Sequence, residues 1–450
     1  MTLFKKLRFF IRFLVAVVKK QYRIVILGLF LGIIFAFFLP RLFKVLPQMR
    51  KTLKIGLIGQ YTVAELPEEI LQEISYGLTQ IDENGEAQPA IAETWSIDNE
   101  GKTYVFKLKE VGDVWHDGKP FTAADVNYNF KDVSFSINDS QMTFVLKEPF
   151  SPFPVILSRP LFKKGLIGLG AYRVKRIEKR GNFVKSILLT PYERSNIFTD
   201  KNLLPNKLYR FYNNENELKT AFNLGEIDII KNIFDLNGLY LNPSLEITQN
   251  LMKNAYVGVF LNTSRPPFSE KTFRQALAYA IPKETGLKRA LGPFNPNSWA
   301  YNPDVKLYAQ DLNHAKTILE KEGAKDKIKI ILSTFPQYEK LANLVKENWD
   351  KIGLEVEVQI ITFIPENFEV LLIGREIPRD PDQYYFWHSK QPGNLSGFEN
   401  LRIDKLLEDG RKTLSAEERK NIYFDFQRFL VEESPVIFLE HPSIYTVVRQ

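Results

Sequence analysis

Cysteine is absent from the 450 residues, and histidine occurs only four times. Without thiols the chain has no disulfide framework, no thiolate nucleophile and no cysteine to carry a lipid anchor. His116, His314, His388 and His441 are scattered, with no i, i+4 pair, so the spacing of a dedicated zinc site is missing. No G-x-S-x-G elbow and no S-x-x-K at a partnered helix start is present. Gly168 and Gly170 lack the third glycine and the strand–helix context of a dinucleotide loop. Nothing in the residue pattern asks for an enzyme, a cofactor or a bound metal. Acids are also missing, but only from one end. None precedes Glu65, whereas twelve bases do: Lys5, Lys6, Arg8, Arg12, Lys19, Lys20, Arg23, Arg41, Lys44, Arg50, Lys51 and Lys54. Setting these aside leaves 48 bases against 53 acids, so the net charge of +7 conceals a mildly acidic body. Charge confined to one terminus is not a nucleic-acid footprint, and no nucleic-acid partner is expected.

The basic end surrounds residues 24–39, IVILGLFLGIIFAFFL, which carry no charge. The run from Ile24 to Leu39 is slightly shorter than the roughly 20 residues that span a bilayer core. Snorkelling Arg23, Arg41 and Lys44 can cover that mismatch. Its exit reads Phe-Phe-Leu-Pro-Arg rather than the small residues of a cleavage site, so the sequence predicts an uncleaved transmembrane anchor. Seven bases precede the run and five follow it, which favours a cytoplasmic N-terminus. Residues 1–23 are then a basic cytoplasmic or interfacial segment, and 40–52 a linker.

A body of this length exceeds one ordinary core, and two or more domains are expected. Residues 89–126, PAIAETWSIDNEGKTYVFKLKEVGDVWHDGKPFTAADV, read as a strand pair, a turn and a helix start. Tyr104, Phe106 and Leu108 alternate with Val105, Lys107 and Lys109, the period of a half-buried strand. His116-Asp117-Gly118-Lys119-Pro120 is turn chemistry. Thr122 then stands three residues before Asp125, as at a capped helix. Trp95, Phe106 and Trp349 lie on regular apolar periods and are expected in the core. Further on, residues 216–230 read as a helix, a glycine turn and a strand. Residues 338–360 read as an amphipathic helix closed by Gly353 and a strand, and Ser415 with Glu418 caps a helix running to Glu432.

The order of these segments resembles the family 5 extracellular solute-binding proteins, the oligopeptide, dipeptide and nickel receptors of ABC importers. The resemblance rests on AETW, the turn, YVFKL and HDGKPFTAADV; on NLGEIDII with Gly225, Glu226 and Asp228; and on YVGVFLNTSRPPFSEKTFRQALAYAI. It continues through Asp380-Pro381-Asp382 and YYFWHSKQPGNLSGFEN. Relatives carry a longer helical insertion after the capped helix, so the first lobe here is expected to be trimmed. The resemblance implies an α/β, two-lobed periplasmic-binding-protein-like fold of type II, the large peptide-binding class. Lobe I would comprise residues 53–255 plus 435–450 and lobe II residues 256–434, with crossings near Tyr256 and Pro435. It implies capture of a short peptide or related small solute between the lobes, delivery to ABC permease subunits, a monomeric state, and a body on the extracytoplasmic side.

By the same likeness, the candidate ligand-binding residues are Gly168, Gly170 and Tyr172 in a glycine loop, Asn262 at a strand end, and Glu376, Asp380, Asp382, Tyr384, Trp387 and Asn394 in one segment. A structural or rim role, rather than that of a ligand, is expected of His388. Peptide-binding relatives place an Asp a few residues before the Asp-Pro to meet the ligand's ammonium group. Here Ile377 stands near that position, Glu376 is the nearest acid, and Arg375 and Arg379 flank it. An anionic or metal-chelate solute therefore stays open beside a peptide, as does a transport-uncoupled sensor or interaction module on the same fold.

Overall fold

The computed structural model describes residues 50–109, 114–139, 141–192, 204–321 and 328–450, with 8, 19–23, 27–28, 30 and 32 before them. Two compact units result, Met1–Lys51 and Thr52–Gln450. In the first, Arg8, Lys19, Lys20, Leu27 and Phe30 are helical. The expected span at 24–39 lies, apart from four residues, outside the described residues. Among the described residues no helix is long and apolar enough to cross a membrane.

The second unit is built on two large sheets. Numbered along the chain, the strands of the first run β12 (Leu245–Leu251), β18 (Ser443–Arg449), β11 (Ile229–Ile233), β1 (Thr52–Ile58), β10 (Asn206–Tyr212), β9 (Phe183–Pro191) and β8 (Tyr172–Arg180). β1 lies parallel to both β10 and β11. Ile55, Leu57, Ile187, Leu189 and Tyr209 make one core of this lobe; Leu218, Phe222, Ile230 and Val447 make another. The second sheet runs β15 (Glu355–Ile360), β14 (Lys329–Thr334), β16 (Val370–Glu376), β13 (Ala255–Leu261) and β17 (Val436–Glu440). β13 is buried along its whole length, as a central strand with both faces covered should be. Around it the helices Lys271–Ala280, Glu339–Lys351 and Ala416–Glu433 lay down Leu277, Trp349 and Leu430.

Two smaller pieces hang on the first lobe. One is the hairpin of β2 (Thr79–Ile81) and β3 (Ala87–Pro89). The other is a four-stranded antiparallel sheet ordered β4 (Ala92–Asp98), β5 (Thr103–Leu108), β7 (Gln141–Leu146), β6 (Val133–Asn138). The alternation of Tyr104 and Phe106 is realised, both fully buried. Trp95 stacks on Phe106 at 5.7 Å, and Trp349 is sealed in the second core.

The sequence expectation is corrected at two places. The helix start at Thr122 is a single 3-10 turn, Ala123–Asp125. Asp125 accepts from the Thr122 N–H (2.9 Å) and hydroxyl (3.1 Å) as a cap should, but Asn127 accepts from the Asn129 N–H (2.8 Å) and Asn129 turns to φ +54°. That Asx turn ends the helix before a second turn can form. The second correction concerns the return to the first lobe. β17 pairs with β13, so it belongs to the five-stranded sheet. The chain recrosses at His441–Pro442, and β18 inserts between β11 and β12. The strand at 436–440 therefore belongs to the second lobe, and the crossing expected near Pro435 lies at His441–Pro442.

Candidate functional site

A cleft of about 1570 Å³ opens between the two sheets. Leu57 and Ile58 at the end of β1, Lys231 and Asn232 in β11, and Glu376 at the end of β16 all line it. Both sheets thus present the carboxyl ends of parallel strands to the same space, the usual position for ligands in open α/β sheets. Its floor holds Met252 and Asn254, the first crossing between the lobes, and one wall is the β2–β3 hairpin with its turn at Asp82–Gly85. That turn is fixed by Asp82, which accepts from the Asn84 and Glu86 N–H groups at 2.9 Å. The hydrogen bonds hold the Asp82 carboxyl below its ordinary value although burial opposes this.

The lining is acidic: Glu68, Glu69, Asp82, Glu83 and Glu376 face Lys109, Lys231 and Arg379. Two of the carboxylates are answered. Glu69 pairs with Lys231 at 3.3 Å within the first lobe. Glu68 pairs with Arg379 at 2.9 Å, and this pair joins one lobe to the other. Glu376 has no ion-pair partner among the described residues. Burial, followed by the charges of Glu69 and Glu376, pushes the Tyr61 hydroxyl above its usual range. One carboxylate from each lobe therefore bears on the same phenol.

Of the ten residues selected from sequence, Glu376 is the one in the cleft lining. Gly168 and Gly170 pack on the end of the helix Glu68–Ile74, where a Cβ would come 2.1 Å and 2.5 Å from main-chain oxygens. His116 straddles the loop, its Nδ1 accepting from the Gly168 N–H (3.2 Å) and its Nε2–H donating to the Gly170 carbonyl (3.0 Å). Burial pushes the His116 ring below its ordinary pKa. These glycines are needed for close main-chain packing, and Tyr172 beside them is buried under Lys207, 4.5 Å from its ring. Asn262 is absorbed by the Phe368 carbonyl (2.8 Å) and Asn394 by the Phe398 carbonyl (2.8 Å).

The remaining four stand behind the cleft wall. Asp380 holds the Arg419 guanidinium through two bonds of 2.6 and 3.1 Å, both side chains buried. Burial works against the Arg419 charge, yet Asp380 outweighs it and its pKa ends above the usual value. Asp382 accepts from Arg411 Nε at 2.9 Å. Burial pushes the Asp382 carboxyl up all the same, because Arg411 offsets that cost only in part. Tyr384 stacks under the same guanidinium at 4.2 Å, and Trp387 lies against Phe260 in the core. His388 is buried with Nε2 3.3 Å from Glu408. Arg375 also turns inward, over Phe386 at 4.1 Å, and donates to the Gly393 carbonyl. Sequence reasoning missed Tyr61, Glu69, Lys231 and the whole β2–β3 wall. The one available signal was the Asp82–Gly85 turn, DENG.

Residues 86–395 match the family model described as bacterial extracellular solute-binding proteins, family 5 middle region. The oligopeptide-binding protein AppA of Bacillus subtilis is 23% identical, over 88% of this chain and 87% of its own length. The structure of that protein with a nonapeptide superposes with a TM-score of 0.68 at 22% identity, covering 90% of this chain and 95% of the other. NikZ from Campylobacter jejuni with Ni(L-His) superposes with a TM-score of 0.73 at 24% identity, covering 89% and 94%.

Proposed function

The chain belongs to the family 5 bacterial extracellular solute-binding proteins, and from that premise we propose that it captures short peptides between its lobes for an ABC permease. The observation that carries this reading is the unpaired Glu376 carboxylate, facing Tyr61 and Glu69 across the cleft. An extended peptide with a free ammonium group supplies the missing positive charge, and closing the lobes over it removes the pair from water and strengthens it. Size agrees: about 1570 Å³ exceeds the roughly 300–1,000 Å³ of pockets for compact small ligands. The β2–β3 wall is a two-stranded sheet, and its outer edges offer main-chain groups that an extended peptide can pair with.

An anionic solute is less favoured, since Arg375 faces the core and Arg379 is taken by Glu68. A metal chelate held by protein imidazole is less favoured too, since the described lining residues include no histidine. Titration calorimetry of the full chain in detergent against a pool of short peptides tests the reading. Binding of peptides with free N-termini, and loss on N-acetylation, is the expected result. A chain that ignores peptides but binds an anionic solute or a nickel–histidine chelate would overturn it.

Residues 24–39 complete the proposal as an uncleaved membrane anchor, with the body on the extracytoplasmic side beside its permease. N-terminal sequencing of the membrane-bound protein is expected to find residues ahead of Ile24. A mature chain starting near Arg41 would remove the anchor from the reading.

A further inference from the structure

The lobes are joined by two stretches of chain: residues 252–254, between β12 and β13, and residues 441–442, between β17 and β18. A rotation of one lobe against the other must be absorbed in these few residues. They are tied to each other. The Met252 N–H donates to the Pro442 carbonyl (2.9 Å) from one stretch to the other, while the His441 N–H donates to the Lys288 carbonyl (2.7 Å) of the second lobe. Among the described residues His441 is the side chain that joins this tie: its ring is completely buried and lies 2.7 Å through Nδ1 from the carbonyl of Ala255, where the first stretch enters β13. A carbonyl can only accept, so Nδ1 carries the proton, and Nε2 is a buried lone pair without a partner among the described residues.

We infer that His441 is a pH-sensitive pin across the hinge, holding the lobes closed, with Glu68 and Arg379 paired at 2.9 Å across the cleft, while its ring is neutral and releasing them when it is protonated. The inference concerns regulation of the cleft and rests on the solute-binding reading for its purpose, although not for its test. A protonated ring needs an acceptor at Nε2, and the hinge described here offers none among the described residues. The charged groups around it are also of the wrong sign or already engaged. Lys253 comes from the first crossing, and Lys288 and Arg289 from the segment packed on β17. Glu440 on the ring's own strand is paired with Lys288 at 3.0 Å, and Glu284 with the same lysine at 2.7 Å. Burial above all, with Lys253 and Arg289, holds the ring below its ordinary pKa. Opening admits water to the ring and relieves that cost, so protons bind the open form more tightly. The open population therefore rises as pH falls below the ordinary histidine value of about 6.5. For one proton the rise is at most about tenfold per pH unit.

The absence of native cysteine makes the measurement direct. Lys179→Cys and Lys405→Cys, exposed residues on the first and second lobe, take a spin-label pair on the full chain in detergent, and the inter-lobe distance is read without added solute. Lowering the pH from about 7.5 to about 5 is expected to move the distribution towards a longer distance, in a window where ordinary carboxylates stay ionised. His441→Asn keeps an N–H donor for the Ala255 carbonyl but does not titrate, and it is expected to hold the neutral-pH distribution throughout. His116→Gln, at the half-buried imidazole whose pKa is also lowered, is expected to leave the response intact. The inference is overturned if the parent chain shows no shift, a result independent of any variant's folding. It is equally overturned if a folded His441→Asn chain, judged by its thermal melt, shifts as the parent does. Peptide binding enters none of these readings, so failure of the ligand assignment is a separate outcome.

Discussion

Glu376 and Asp380 are four residues apart and carry the same charge, yet they do opposite work. Asp380 is buried, with both oxygens spent on Arg419. Glu376 is exposed in the cleft, without an ion-pair partner among the described residues. The arginines divide in the same way, Arg375 under the aromatic rings and Arg379 in the cleft. The difference arises from one strand end. β16 stops at Glu376, the Ile377 N–H is taken by the Asn254 carbonyl (2.7 Å), and beyond that point the chain turns behind its own wall. A buried ion pair is a demand of the fold, whereas an unpaired acid on a cleft is an offer to a ligand.

The comparison is broken most severely at Asp380. Asp380→Ala leaves Arg419 buried and unanswered, and the loss of stability is expected to be about 3–5 kcal/mol, read by urea denaturation. Replacing Asp380 and Arg419 together by Leu and Met is expected to restore most of it, because no charge is then stranded. Glu376→Ala inverts the pattern. The melt is expected to stay in place while peptide affinity falls by about 2 kcal/mol in calorimetry, the lower end for a charge partner that is hydrated until the ligand arrives. Equal losses of stability at both positions would erase the distinction. Between these extremes lies Arg379→Ala, which removes a half-exposed ion pair between the lobes. Its cost is expected at about 1 kcal/mol or less, vanishing in high salt. Lys405→Ala, at an exposed helical pair with Asp409, is expected to change neither stability nor affinity measurably.

The same contrast explains what could be read in the sequence. Elements with a strong local period were legible: the β4–β5 pair, the helix Glu339–Lys351 closed by Gly353 at φ +96°, and the helix capped by Ser415, which accepts from the Glu418 N–H. β6 carries the same alternation, with Val133, Phe135 and Ile137 between Ser134, Ser136 and Asn138, yet it went unread, and Phe135 and Ile137 stay exposed at the sheet edge. The motif Asp380-Pro381-Asp382 was legible as a segment but not as a set of contacts. Which way each carboxylate points is decided by Arg411 and Arg419, some thirty to forty residues away on other helices. The β2–β3 wall carries short strands and a polar turn, and no periodicity marks it as one side of a cleft.

The insertion of β18 between β11 and β12 also has a consequence during synthesis. The second lobe is complete once residue 440 has left the ribosome, because its five strands all lie between Ala255 and Glu440. The first lobe begins at Thr52 but cannot close its sheet until residues 443–449 emerge, since among the described residues β12 reaches the rest of that sheet through Ser443–Arg449. The lobe translated first is thus the one finished last, with a gap in its sheet for most of translation. Contacts of such long sequence separation form slowly and leave strand edges open in the meantime. A chain lacking residues 443–450 would carry a finished second lobe on a first lobe split between β11 and β12.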